Sequence, residues 1–114
     1  MKELRKNVYK AGSYIYVEGE DNASDIYIIE EGQVDFITLS KRALPFRGTA
    51  GPGDIFGFVS SLCNRPRMES ARAKVASRVV AFSRDRFLDL MQKNKRIAVK
   101  LLNLYAEELR IYDT

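Results

Sequence analysis

The sequence contains no histidine and only one cysteine, Cys63, in 114 residues. Histidine is the commonest metal ligand and general base, so its absence argues against metal-dependent hydrolysis and against Ser-His or Cys-His catalysis. A single cysteine excludes an internal disulfide and fits a reducing compartment. We therefore expect a protein that is not an enzyme and that holds no metal or cofactor.

Long apolar runs are also missing. No stretch approaches the ~18 apolar residues that span a bilayer, and the charged start, residues 1–7, lacks the apolar core of a signal peptide. These absences predict a cytoplasmic location and no membrane partner.

The charge excess is small, with 19 Lys and Arg against 15 Asp and Glu. Nucleic-acid binding usually needs a basic stripe and an element that fills a groove, and neither helix-turn-helix spacing nor a base-stacking aromatic strand is found. We expect no direct nucleic-acid binding, and a small anion is a better match for a net charge of +4. The length predicts one domain over residues 1–114.

Residues 9–82 have the pattern of short strands separated by glycine turns. Aromatic and β-branched residues fill 14–17 and 25–30, which predicts two strands. The Glu31-Gly32 turn predicts a hairpin between the strand at 25–30 and a further strand at 33–39. Residues 71–82 supply further strand. Many short strands at this spacing predict a mainly β protein, a sandwich or barrel.

From Ser83 onward the sequence contains no glycine or proline. Ser83 is a predicted N-cap with an acid in the following turn, and two helices are predicted at about 84–92 and 95–111. The second helix has two apolar edges, so one could cover the barrel and the other a second copy in a homodimer through 95–112, or both could pack on the barrel. The edges are Ala98, Leu102, Tyr105, Leu109 and Tyr112, and Ile97, Leu101 and Leu104.

A short helix is predicted to begin after Gly57. A helix start exposes unpaired N–H groups and the positive end of the dipole, which favour phosphate. Ser60 and Ser61 could add hydroxyl donors, and Arg67 a bidentate grip. The alternative is that Gly57 serves only a turn, the serines are ordinary small residues and Arg67 is a solvated charge.

The order of these motifs resembles the cyclic nucleotide-binding domain family, the sensor module of the catabolite activator protein, of kinase regulatory subunits and of gated channels. YKAGSYIYVEGEDNASDIYIIEEGQVDF is similar to the family's opening, and GPGDIFG to the turn into its phosphate-binding cassette. RPRMESARAKVASRVVAFSRDRFLDLM is similar to the cassette arginine, the next strand and the hinge helix. The resemblance implies an antiparallel double-stranded β-helix, a jelly-roll-like β roll capped by C-terminal α-helices.

The resemblance places phosphate contacts at Gly57, at the backbone near Ser60 and at Arg67. Two residues depart from the family pattern. Phe58 stands where a glutamate usually accepts hydrogen bonds from the ribose, and Met68 stands where a small residue is usual. The predicted ligand site is therefore altered, and cyclic AMP or cyclic GMP is expected to bind weakly or not at all. The site consists of Gly57, Phe58, Ser60, Ser61, Arg67 and Met68.

Three hypotheses for function follow. The first is a noncatalytic sensor whose ligand shifts a hinge at 84–95 and moves the terminal helix against a partner or output domain that this chain lacks. The second is a ligand-free interaction or dimerisation domain with a pocket filled by Phe58 and Met68. The third is a cupin-type enzyme, which the absence of histidine ligands argues against.

Overall fold

The computed structural model describes residues 4–21, 24–38, 46–100 and 103. Two helices have defined bounds, α1 (Phe58–Leu62) and α2 (Arg84–Lys93), and residues 95–100 are also helical. The strands in chain order are β1 (Leu4–Tyr9), β2 (Tyr14–Tyr16), β3 (Asp25–Glu31), β4 (Val34–Ile37), β5 (Phe46–Ala50), β6 (Ile55–Phe56), β7 (Ser70–Ala73) and β8 (Ser77–Ser83).

The strands form two four-stranded sheets. The first has the order β1-β8-β3-β6 and the second the order β2-β7-β4-β5. All the strand pairs are antiparallel. The chain crosses between the sheets at most of its turns, which is the arrangement of a jelly roll. The predicted fold class, an antiparallel β roll with helices after it, is confirmed.

The predicted hairpin between β3 and β4 is wrong. Strand β3 pairs with β6 and β8, whereas β4 pairs with β5 and β7. Gly32, at φ 103°, turns the chain from one sheet into the other. The N–H of Gln33 donates to Ser77 Oγ at 3.1 Å, so this turn is held against the start of β8. The glycine marks a corner between two sheets, which has the same sequence signature as a tight hairpin turn.

The roll begins at Leu4, earlier than the predicted start at residue 9. Strand β1 lies at the edge of the first sheet, and four of its residues, Arg5 to Val8, are exposed. An exposed edge strand has little apolar alternation for a sequence pattern to detect. The predicted strand region 71–82 is divided into β7 and β8 by the turn at 74–76.

The main core lies between the two sheets. Phe56 stacks on Tyr27, with ring centroids 5.1 Å apart, and meets the edge of Phe36 at 5.4 Å. Such aromatic pairs add to the free energy of burial. The cluster contains Tyr16, Tyr27, Ile29, Val34, Phe36, Phe56, Ala71, Val79 and Ala81.

A second apolar cluster covers the outer face of the first sheet. Ile26 and Phe82 project from β3 and β8, and the helices bring Phe58, Val59 and Phe87 against them. Strand β3 is therefore buried on both faces, which explains its nearly continuous apolar run. This second cluster connects α1 to α2 through the sheet.

The start of α2 agrees with the prediction. Ser83 is the N-cap, and its Oγ accepts from the N–H of Arg86 at 3.1 Å. The helix ends at Lys93, and Asn94 Oδ1 accepts from the N–H of Ile97 at 3.2 Å, so Asn94 separates the two predicted helices. Most of the predicted dimer helix lies outside the described residues. In the described part of the chain, no helix is long and apolar enough to cross a membrane.

Gly32→Ala should destabilise the domain by about 2–5 kcal/mol. The positive φ costs about 1–2 kcal/mol for an alanine, and the added Cβ would lie 2.7 Å from Ser77 Cα, which adds a packing penalty. Gly12→Ala is the matched control, because Gly12 has φ 88° with nothing within 4 Å of an added Cβ. Urea unfolding measures both variants, and an equal loss in the two would contradict the close contact at Ser77.

Glu30→Gln should destabilise the domain near neutral pH and have no effect in acid. Hydrogen bonds from Arg78 and Lys6 hold the pKa of Glu30 below its ordinary value of 4.5. A depressed carboxyl pKa contributes stability above the unfolded-state value, and this contribution is lost as pH falls through the folded-state pKa. Urea unfolding of both proteins across the acid range tests this, and curves that stay parallel would contradict it.

Candidate ligand-binding site

Arg67 is buried, with 4% of its surface exposed, although it lies in the loop between α1 and β7. Its backbone N–H donates to the Glu20 carbonyl at 3.0 Å, and its carbonyl accepts from the N–H of Gly19 at 2.7 Å. Nη1 donates to the Gly57 carbonyl at 2.8 Å, and Nη2 to the Asp25 carbonyl at 2.9 Å. The guanidinium therefore joins the start of α1 to the start of β3.

Two tyrosines of the core enclose the same guanidinium. Its central carbon lies 4.1 Å from the ring centroid of Tyr16 and 5.6 Å from that of Tyr27. A cation over an aromatic face is stabilised by the ring quadrupole. Burial raises the pKa of Tyr27, and the charge of Arg67 acts in the opposite direction. Both rings keep the guanidinium in one position.

Gly57 is the N-cap of α1, as predicted. Its φ is 82°, and no side chain caps the first turn of the helix. A Cβ at this position would lie 2.9 Å from Arg67 Nη1 and 3.2 Å from Tyr27 Cδ2. The absence of a side chain therefore permits both the left-handed backbone and the close approach of Arg67.

Ser60 and Ser61 are buried in α1. Ser61 Oγ donates to the Ser24 carbonyl at 2.9 Å, so its proton holds the helix against the residue before β3. The Ser60 carbonyl accepts from the N–H of Arg65 at 3.0 Å. Both serines therefore form hydrogen bonds within the protein. Their contact with a ligand stays a prediction.

Phe58 is 3% exposed and packs with Ile26, Phe82 and Phe87 in the outer cluster. Met68 is partly buried against the same cluster. Neither residue lines the cavity beside Arg67. The sequence could place Phe58 next to Gly57, but it could not show that the ring turns toward α2.

A cavity of about 150 Å³ lies beside Arg67. Of the six predicted site residues, Arg67 alone lines it, together with Ile15, Tyr16, Glu20, Asp21, Ser24, Asp25 and Tyr27. The volume is below the ~300 Å³ of ordinary small-molecule sites, so the cavity has room for only part of a nucleotide.

Sequence reasoning missed the acidic and aromatic residues of this cavity. Asp25 Oδ1 forms an ion pair with Arg5 Nη2 at 2.7 Å, and Glu20 Oε1 accepts from the N–H of Val17 at 2.6 Å. Strand alternation could have assigned Tyr27 to the inner face. The role of the Asp25 carbonyl has no sequence signal, because every residue carries a carbonyl.

Arg67 is the only arginine among the described residues that line this cavity. Arg65 is exposed, and Arg72 lies over the exposed ring of Tyr14, 5.9 Å from its centroid, rather than beside Arg67. Among the residues that the structure describes, no group of His, Cys, Asp or Glu side chains could hold a metal ion.

Three known proteins show what this chain is similar to. A probable potassium channel of Arabidopsis thaliana is 33% identical over 87 residues, 76% of this chain and 10% of the channel. The cAMP-dependent protein kinase regulatory subunit of Schizosaccharomyces pombe is 26% identical over 112 residues, 92% of this chain and 26% of that subunit. The catabolite activator protein of Thermus thermophilus has a TM-score of 0.78 and 28% identity, covering 96% of this chain and 52% of that one.

The chain spans from a tenth to about a quarter of the length of these two curated relatives. The match therefore covers only part of each relative. The family described as cyclic nucleotide-binding domain matches residues 6–94. The chain belongs to the cyclic nucleotide-binding domain family.

Proposed function

We propose that this domain is a noncatalytic sensor that binds cyclic AMP, cyclic GMP or a related phosphate-bearing ligand weakly, at the start of α1 and at Arg67. The observation that carries the proposal is the buried guanidinium, which two carbonyls and a tyrosine ring hold beside an uncapped helix start. Family membership supports the chemical class of the ligand.

Arg67 retains the capacity to bind a phosphate. A guanidinium has five N–H groups, and the hydrogen bonds of Arg67 within the described residues use two of them. The side chain is already ordered, so a ligand would not bear the entropic cost of fixing it. The N–H groups of the first turn of α1 would add favourable dipoles for an anion.

Two features make the expected affinity low. Phe58 has no acceptor for a ribose hydroxyl, and losing a charge-assisted hydrogen bond costs about 1.5–3 kcal/mol. Since each 1.4 kcal/mol is tenfold, a site with a Kd of about 1 μM would weaken to tens or hundreds of micromolar. The carboxylates of Glu20, Asp21 and Asp25, which line the cavity beside Arg67, also disfavour an anion on that side.

The outer apolar cluster would transmit the signal. Phe58 of α1 and Phe87 of α2 belong to the same cluster, and the ring of Phe87 lies 5.8 Å from that of Phe82. A ligand that moves α1 would therefore change the packing under the hinge at 84–95. The shift requires a ligand with different affinities for the two positions of the hinge. The output would lie in another domain or a partner protein.

A second candidate function is a ligand-free interaction or dimerisation domain. It is favoured by the contacts of Arg67, whose Nη1 and Nη2 already have protein acceptors, and by the complete burial of the Phe58 side chain. Such a domain would be stable without any ligand. The predicted homodimer through 95–112 belongs to this candidate and to the sensor alike.

Titration of the domain with cyclic AMP and cyclic GMP tests the sensor. Isothermal calorimetry should give a Kd of tens to hundreds of micromolar. Arg67→Lys keeps the charge but loses the planar fork, so it should weaken binding about tenfold. Arg65→Lys, in the same loop but exposed, should leave binding unchanged. Circular dichroism should show that each variant is folded.

The outcomes separate the candidates. A low-micromolar Kd would contradict the predicted weakness. No binding at millimolar ligand by the folded domain, together with a dimer in sedimentation, would replace the sensor with the interaction domain. Equal weakening by the Arg67 and Arg65 variants would show that the guanidinium fork is not the phosphate contact.

Phe58→Glu should not restore tight binding, although it introduces the residue usual in the family. The carboxylate would replace a ring in the outer cluster, so the free energy of unfolding should fall by about 3–5 kcal/mol, as for deletion of a buried phenylalanine. Phe58→Leu keeps most of the volume and should cost less than about 1.5 kcal/mol. Urea unfolding and cyclic AMP titration measure both effects. A stable Phe58→Glu protein with tighter binding would show that position 58 faces the ligand.

A further inference from the structure

Three turns meet at one end of the β roll. The N–H of Gly12 donates to the Ala73 carbonyl at 2.7 Å, and the N–H of Lys74 donates to the Gln33 carbonyl at 2.9 Å. These bonds hold the turns at 10–13, 31–33 and 74–76 together. We name this region, with the flanking residues Val8, Tyr14 and Arg72, the turn end.

The turn end carries three cations, Lys10, Arg72 and Lys74. Lys10, Arg72 and Lys74 form no ion pair with any acid in the described part of the chain. The two acids of the adjoining turn are already engaged, since Arg78 binds Glu30 at 3.0 Å and Glu31 at 2.8 Å. Lys6 binds Glu30 as well, at 3.3 Å. An anionic partner would therefore meet the exposed cations Lys10 and Lys74, whereas Arg72 is partly buried and lies opposite Asp35 in the register of β4 and β7.

Apolar side chains are exposed beside these turns, Val8 on the first sheet and Tyr14 on the second. Val8 is 75% exposed, Tyr14 is 49% exposed and Val75 is 41% exposed. Tyr14 also supports the guanidinium of Arg72, 5.9 Å from its ring centroid. Cations near exposed valine and tyrosine fit a partner that presents negative charge next to an apolar layer.

We propose that the turn end binds the surface of an anionic lipid bilayer. Val75 lies in the turn at 74–76. Tyr14 lies one residue after the turn at 10–13, and Val8 lies two residues before it. At about 3.3 Å per residue all three are within about 7 Å of the turns, and a surface-bound segment buries its apolar side chains about 5–10 Å deep. The cations then lie at the depth of the lipid headgroups.

The shape of the turn end favours a bilayer over an acidic protein segment. Three turns at the ends of strands form a projecting surface that a flat membrane can contact together, whereas an extended peptide is usually held by a sheet edge or a groove. The sequence-based expectation of no membrane partner rested on the absence of a spanning segment. A domain that lies on a membrane surface does not need one.

Sedimentation with lipid vesicles tests the proposal. The whole chain should sediment with vesicles of equal parts phosphatidylcholine and phosphatidylserine, and not with phosphatidylcholine alone. Each cation near an anionic surface is worth about fivefold in affinity, so Lys10→Glu with Lys74→Glu should weaken binding about 25-fold or more. Raising the salt from about 0.1 M to about 1 M should release the protein, because the Debye length falls from about 10 Å to about 3 Å.

Matched variants separate a specific surface from net charge. The control is Lys95→Glu with Arg96→Glu, at two exposed residues of the helical segment 95–100. Each substitution changes the charge by two units, so this pair, like Lys10→Glu with Lys74→Glu, takes the formal net charge from +4 to 0. This pair should bind like the unchanged chain. Val8→Ser with Val75→Ser keeps all the charges and should weaken binding several-fold.

Three results would overturn the proposal. The first is no sedimentation with anionic vesicles, and the second is equal loss of binding in the two charge-reversal pairs. The third is binding of polyglutamate, with the same dependence on Lys10 and Lys74, by a protein that ignores vesicles, since this would assign the turn end to an acidic protein partner. Urea unfolding of each variant ensures that the comparison is between folded proteins.

Discussion

The buried positive charge of Arg67 is the constraint on which the site and its surroundings depend. Moving a guanidinium out of water costs several kcal/mol unless its donors find acceptors. Within the described residues no carboxylate pairs with it, and the carbonyls of Gly57 and Asp25 and the ring of Tyr16 provide the compensation. These groups belong to α1, β3 and β2, so one side chain joins the helix start to both sheets.

Strand β3 of the first sheet is buried on both faces, and this links the site to the helices that follow. The inner face of this sheet carries the core of the roll, and its outer face packs against Phe58 and Phe87. The start of α1 therefore has Arg67 and the hinge helix as neighbours through one short segment. The same burial turns Phe58 away from the cavity beside Arg67, so this residue contributes to stability. Gly57 and Phe58, adjacent in the chain, therefore contact Arg67 and the outer cluster respectively.

The starts of α1 and α2 were predicted correctly because each has a local cause. Gly57 takes a left-handed conformation that glycine favours, and Ser83 supplies a hydroxyl that caps α2, so both could be recognised from their neighbours in the sequence. The direction of Phe58 and the acceptors of Arg67 depend on segments distant in sequence. Asp25 is 42 residues from Arg67, and its contribution is a backbone carbonyl.

Side-chain periodicity and backbone preferences within a few residues predicted a mainly β chain and the cap of α2, and the order of the motifs resembled the family. Tertiary structure alone decided that Gly32 makes a corner between sheets, that β1 forms an edge strand, and that Arg67 turns inward between two tyrosines. Each of these depends on which distant strand lies alongside. The pairing of strands is decided by the burial of the apolar surface of the whole domain. No single segment of the sequence can predict it.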